Sequence, residues 1–262
     1  MNIASQLASY QDKGFTDEQA EVITLMHLAA GVLFRDFPDS FLLIGGAALL
    51  LFHQSVRHSG DLDLLVRADE RPATKSIRDS IESGLASAAE ALNLGVLQFE
   101  EVPNGDLDRQ LWIMASNGRR LFRVDLNRFG SVLESKVDEY SVPVDDNTIA
   151  KVRSASRDSL LLQKAECFLL RRIVKARDAF DVRLLKDSGA VLDDHLKGTL
   201  SDTLMSWELE AEDIVKRIEQ VDVKRCSAEL RPVLPQAVFE TLARDGFKPL
   251  RDVMYELYAD WL

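Results

Sequence analysis

From Asp17 to Arg35 apolar residues recur every three to four positions. Thr16-Asp-Glu-Gln19 at the start has the spacing of a capping box, so the pattern predicts a helix over 17–35. Pro38-Asp-Ser40 breaks it, and Phe41-Leu-Leu-Ile-Gly45 then forms a continuous apolar run, read as a short buried strand. Gly45-Gly46 opens a second apolar helix from Ala47 to about Gln54. After the polar link Ser55–Gly60, Asp61-Leu-Asp-Leu-Leu-Val66 alternates acid with leucine, as a strand with one wet face does. Thr74–Asn93 has the period of a long amphipathic helix. Val96–Val102, Gln110–Ala115 and Leu121–Asn127 read as strands, with Asn104-Gly105 and Asn117-Gly118 as turns, and Tyr140–Val144 as one strand more. Beyond it the chain reads as helical almost throughout: Asp158–Val174, Asp178–Lys186, and further helices within 193–220 and 235–262, with Pro232, Pro235 and Pro249 as breaks.

This order predicts an α+β protein: a mixed sheet with flanking helices over residues 1–145, then a helical domain over 146–262. No linker rich in Gly, Ser or Pro separates the halves, and no repeat or low-complexity tract is visible, so the helical half is expected to complete a cleft with the first. An apolar share of 46% in 262 residues supports a substantial core. The two cysteines, Cys167 and Cys226, make no CxxC or Cys/His cluster, which excludes a zinc module and a disulfide framework and suits a reducing cytoplasm. The first residues lack a basic start followed by an apolar run, and the longest apolar stretches are too short or interrupted to span a bilayer. The expectation is a cytoplasmic protein with no membrane partner.

Net charge changes the picture in one place. The whole chain carries −11, which argues against a general nucleic-acid coat. Between Lys151 and Arg177, however, eight basic residues face only Asp158 and Glu166, leaving that stretch at about +6 and the remainder at about −17. A basic island in an acidic chain suggests a specific anionic ligand; a solvated helix face with snorkelling side chains is the plainer alternative.

The sharpest chemistry lies at Asp61 and Asp63. Residues two apart on a strand share a face, with Cα atoms roughly 6.5–7 Å apart. Such a pair of carboxylates requires a counter-cation, and Mg²⁺, with Mn²⁺ as a substitute, accepts one or two carboxylates plus substrate phosphates. An isolated DxD is common on surface loops. Here it follows a strand, a Gly-Gly turn and a helix N-terminus, where free backbone N–H groups admit phosphate oxygens. Further along, Lys164, Phe168, Arg171 and Lys175 share one face if 158–174 is a single helix running on to 175, and Lys164 sits in an apolar stretch, where a lysine could meet a triphosphate as a point charge. Asp178 could cap the next helix, with Asp181 supporting its dipole.

Ile44-Gly-Gly-Ala-Ala through Arg57-His-Ser-Gly-Asp-Leu-Asp63 resembles the first motif of the AbiEii-type nucleotidyltransferase family, part of the polymerase-β-like superfamily, in which a GG or GS turn is followed by R-x-S-x-D-hydrophobic-D. Leu160–Leu185 resembles the family's later motifs, a lysine helix followed by R-[KR]-D-x-x-D, although Ala176 stands before Arg177 where the pattern has a longer basic pair. The resemblance covers about residues 40–190. It implies a polymerase-β-like core that transfers a nucleotidyl group from a nucleoside triphosphate. It also implies metal-binding Asp61 and Asp63, Gly45, Gly46, Arg57 and Ser59 near the phosphates, Lys164 on the triphosphate side, and Asp181 as a later active-site aspartate. By analogy with such sites a third carboxylate is expected, and Asp125, in Phe122-Arg-Val-Asp-Leu126, has the right order and alternation to be the base; pairing with Arg123 or Arg128 would make it structural instead. Many relatives carry Ser directly after the first glycine, where this chain has Gly46, so a phosphate-binding hydroxyl has to come from Ser59 or be replaced by backbone.

The biological role implied is the toxin of a bacterial toxin–antitoxin or phage-defence pair, with a cognate antitoxin. Some relatives extend the 3′ end of tRNA, for which the basic island is a landing surface. Transfer to a small molecule or a protein hydroxyl, which the overall acidity favours, and a catalytically silent nucleotide-binding module stay open at this point. His27, His53, His58 and His195 lack metal-ligand spacing, Trp112, Trp207 and Trp261 are too dispersed to form a visible stacking platform, and no P-loop, GxSxG or Rossmann fingerprint is present.

Overall fold

The computed structural model describes residues 3–66, 71–104, 108–128 and 136–262, which divide into two units, 1–155 and 156–262. In the first, α1 (Ile3–Asp12) precedes α2 (Asp17–Asp36). The reciprocal capping box forms as the sequence implies: Gln19 N donates to Thr16 Oγ1 and Thr16 N donates to Gln19 Oε1. α2 is buried nearly all round because α1, α4 (Thr74–Ala91) and the sheet cover it. Tyr10, Phe15, Ala20, Ile23 and Leu50 form one knot of this core, which ties α1 and α2 to α3 (Gly45–Phe52).

Seven strands make one mixed sheet in the order β3-β4-β5-β2-β1-β7-β6. Their ranges are β1 Phe41–Ile44, β2 Asp61–Val66, β3 Gln98–Asn104, β4 Asp108–Met114, β5 Arg120–Arg128, β6 Val137–Pro143 and β7 Ile149–Ala155. β1 is central and buried on both faces, which is why it reads as an unbroken apolar run. β2 pairs antiparallel with β1 and parallel with β5, so the strand bearing the two acids is held by hydrogen bonds along both edges.

Two sequence expectations shift here. Residues 149–155, expected to begin the helical part, are strand β7, which pairs antiparallel with β6 and parallel with β1 at Leu43↔Ser154. Ala150, Val152 and Ser154 are buried while Ile149 and Lys151 face outward, an alternation masked by its small and charged residues. The division between units consequently falls at 155/156, ten residues beyond the 145/146 boundary read from the sequence. The turn at Asn104-Gly105 falls partly outside the described residues, whereas Gly118 takes φ +81° at the other.

The second unit is helical: α5 (Arg157–Leu170), α6 (Ala176–Asp187), α7 (Asp194–Ser206), α8 (Ala211–Glu219), α9 (Val223–Leu230), α10 (Gln236–Arg244) and α11 (Lys248–Leu257). Tyr258 is fully buried, lies against Phe168 and donates its hydroxyl to Ala165 O at 2.8 Å. α5 stops at Leu170, short of the Val174 expected. The Arg217 guanidinium accounts for the early end, donating to the carbonyls of Phe168 (3.2 Å) and Arg171 (3.0 Å) that the helix leaves open. No described helix is long and apolar enough to cross a membrane.

His27 on α2 lies 3.4 Å from Tyr10 Oη and edge-on to Phe52, and burial, assisted by Lys13, lowers its pKa to about 4. With the folded value below the ordinary 6.5, the unfolded chain binds the extra proton in between. Its contribution to stability is therefore full above about pH 6.5 and is lost as pH falls towards about 4. Denaturant melts over that window should lose stability less steeply for His27→Gln than for the parent; parallel slopes would show that His27 does not titrate this way.

Candidate active site

In β2 the side chains of Leu62 and Leu64 are fully buried and those of Asp61 and Asp63 are half-exposed, so the alternation of the sequence turns both acids to the same face. The register supplies their neighbours. Asp63 lies opposite Ile44 on β1 and Asp125 on β5, and Asp61 lies opposite Arg123. Asp125 is thus on an inner strand and in the row of Asp63.

Ile44 leads directly into the glycine turn. Gly45 has φ +69°, a conformation that side-chain-bearing residues avoid, and a Cβ there would overlap Asp63 Oδ2. At Gly46 an added Cβ would lie 2.7 Å from Ser59 Oγ and 2.8 Å from Arg57 Nη2. The Ser59 hydroxyl fills the space a side chain at position 46 would take. Arg57 is buried; its backbone N–H donates to Ser55 Oγ and its Nη1 to His58 O, each at 3.1 Å. Burial and the Arg57 charge lower the His58 pKa to about 4, against an opposing pull from Asp61. Gly45 thus lies against Asp63, and Gly46 against Ser59 and Arg57.

Arg123 is the residue the sequence reading left out of the site. Its Nη2 donates to Asp125 Oδ2 at 2.8 Å and lies 3.2 Å from Asp61 Oδ1. Its Nε lies 2.6 Å from Asp125 Oδ1, so the guanidinium faces both oxygens of that carboxylate. Burial raises the Asp125 pKa, Arg123 pulls it down, and Asp61 raises it further. The pairing with Asp125 is the structural alternative the sequence left open for that aspartate, whereas the reach to Asp61 follows from the register of β5 with β2.

Among the described residues no group of three or more His, Cys, Asp or Glu side chains is arranged to hold a metal ion. The strand offers two half-exposed carboxylates, while the Asp125 carboxylate in the next strand is engaged by Arg123. That donor set fits a hard divalent cation whose remaining positions are filled by phosphate oxygens and water.

The second unit holds a separate buried ionic cluster. Lys164 Nζ lies 2.8 Å from Asp181 Oδ2 and 3.5 Å from Asp178 Oδ1, and Arg171 Nε lies 3.0 Å from Asp178 Oδ2. Both aspartates are fully buried. Asp178 is in the first turn of α6, whose N-cap is Lys175, so its carboxylate serves the two cations and does not cap the helix. The single helical face joining Lys164, Arg171 and Lys175 does not exist either: Arg171 is the C-cap of α5, and Lys175 approaches Glu229 at 3.7 Å. The basic island is correspondingly divided, with Lys151 and Arg153 on β7 and Lys164 and Arg171 paired to aspartates. Removing one member of such a cluster strands a buried charge. Lys164→Met should lose about 3 kcal/mol in chemical denaturation, and adding Asp181→Leu should restore over half; an additive double loss would show that the two do not interact.

The sequence matches the family model for the nucleotidyl transferase AbiEii toxin, Type IV toxin–antitoxin system, over residues 28–257. No curated protein sequence matches it. In fold it is similar to MenT4, a nucleotidyltransferase toxin from Mycobacterium tuberculosis, at 15% identity and TM-score 0.55, covering 96% of this chain and 90% of that one. It is also similar to JHP933 from Helicobacter pylori, at 17% identity and TM-score 0.56, covering 92% of this chain and 94% of that one. With the family's motifs lying on a glycine turn and a paired-acid strand of a mixed sheet, the chain belongs to the AbiEii nucleotidyltransferase toxin family of type IV toxin–antitoxin systems.

Proposed function

We propose that this nucleotidyltransferase moves an NMP group from a nucleoside triphosphate to an acceptor hydroxyl at the face formed by β2 and β5, as a toxin with a cognate antitoxin. The observation that carries this reading is the contact between the Gly45-Gly46 turn and Asp63, which puts backbone able to approach phosphate oxygens beside two half-exposed carboxylates. Asp61 and Asp63 would hold Mg²⁺, or Mn²⁺ in its place. Bound there, the ion would offset triphosphate charge and stabilise attack at the α-phosphorus. Ser59 and the turn would position the phosphates, and the buried Arg57 would brace the Ser59 loop. Asp125, with its raised pKa, would orient the acceptor hydroxyl and take its proton as the new P–O bond forms and pyrophosphate leaves.

The acceptor we favour is the 3′ end of tRNA. A small molecule or a protein hydroxyl is the second reading, supported by the net charge of −11 and by the division of the basic island. Incubating the purified protein with each labelled triphosphate, Mg²⁺ and total RNA or cell extract should put label into RNA, lost with Asp63→Ala. Incorporation equal in the variant would remove the site assignment. Transfer to tRNA should weaken steeply with added salt, whereas transfer to a small acceptor should change little. Gly45→Ala should lower the initial rate by roughly 100-fold, because misplacing a reacting group by an ångström costs that much. An unchanged rate in a folded Gly45→Ala protein would dissociate the turn from catalysis.

A further inference from the structure

Positive charge beside the paired acids comes from the same strand as Asp125. The Arg123 guanidinium spans two strands, with Nη2 placed between Asp125 Oδ2 (2.8 Å) and Asp61 Oδ1 (3.2 Å). Its side chain is only 22% exposed, and its Cζ lies 5.2 Å from the centre of the Trp112 ring, opposite it on β4. Glu100, Trp112, Arg123 and Asp61 thus occupy one row across β3, β4, β5 and β2. One feature distinguishes this from an ordinary surface ion pair: the guanidinium meets both oxygens of Asp125, Nη2–Oδ2 at 2.8 Å and Nε–Oδ1 at 2.6 Å, and its Nη2 still reaches a second carboxylate that the reading above gives to the metal.

We propose that Arg123 is a built-in counter-cation that competes with the divalent ion for Asp61. It neutralises Asp61 and Asp125 when the ion is absent and gives up Asp61 when the ion binds, keeping its contact with Asp125. This rests on the assignment of Asp61 and Asp63 as metal ligands. The physical reason is direct: a guanidinium and a divalent cation repel at this range, and Asp61 Oδ1 cannot serve both. Arg123 is accordingly a positioning residue that sets metal affinity. It weakens ion binding to the empty protein and makes tight binding depend on the additional charge of a triphosphate. Trp112, against which the guanidinium lies, gives the movement an optical signal.

The test is Mn²⁺ binding by calorimetry and electron paramagnetic resonance, without nucleotide, on the full chain. Arg123→Gln should tighten Mn²⁺ binding at least about fivefold and lower the melting temperature of the metal-free protein. Arg123→Lys, which keeps the charge, should stay within about twofold of the parent. Unchanged or weaker binding by Arg123→Gln, while Asp63→Ala abolishes binding, would overturn the proposal and leave the metal assignment standing. Binding that survives Asp63→Ala would overturn both. If Arg123→Gln does not fold, Mg²⁺ titration of tryptophan emission decides. A change in the parent that disappears in Trp112→Phe supports displacement of Arg123, and no change in the parent overturns it.

Discussion

Like charges on adjacent strands of a sheet cannot be spread apart, because backbone hydrogen bonds fix the strands at about 4.8 Å. Asp63 and Asp125 are register partners, and Asp61 is two residues from Asp63 on the same face, so β2 and β5 carry a concentration of negative charge that folding by itself would disfavour. The arrangement persists because Arg123 bridges the strands and the two acids of β2 stay partly exposed to water. The surrounding structure follows from this constraint. β2 is locked between β1 and β5, Leu62 and Leu64 anchor its other face, and the start of α3 is stripped of side chains where it meets Asp63.

The second unit handles charge in the opposite way. Lys164, Asp178 and Asp181 are withdrawn from solvent, with two buried carboxylates set against one buried lysine and a partly exposed arginine. A buried cluster of this kind adds little net stability over apolar packing but penalises any arrangement that separates its members. It also fixes the α5–α6 connection, which Arg217, Arg225 and Glu229 hold through the backbone of Phe168, Arg171, Val174 and Ala176.

Much of this was legible in the residues. The capping box at Thr16, the buried strand before Gly45 and the acid–leucine alternation of 61–66 each encode a local rule with one outcome, and those elements occur where the pattern puts them. The α+β class followed from their order. Three features were hidden because they depend on partners distant in sequence. β7 has too few large apolar residues to announce a strand and is defined by β1 and β6. The end of α5 is decided by an arginine 46 residues on. The role of Arg123 emerges only when β5 lies parallel to β2, since alternation alone places it beside Asp125 without revealing Asp61. Gly45, Gly46, Arg57, Ser59 and Asp63 were readable as a motif, but the exclusion of side chains where they meet was not.

The position of β2 inside the sheet has a consequence for how such a protein can change over time. The interval between Asp61 and Asp63, and between Asp63 and Asp125, is dictated by strand rise and ladder spacing, both properties of the peptide group common to all residues. Core residues can be exchanged freely, provided volume and pattern persist, without stretching or compressing that geometry. In this chain the loops and outer side chains are accordingly free to vary, while the distances among the acids are inherited from the backbone.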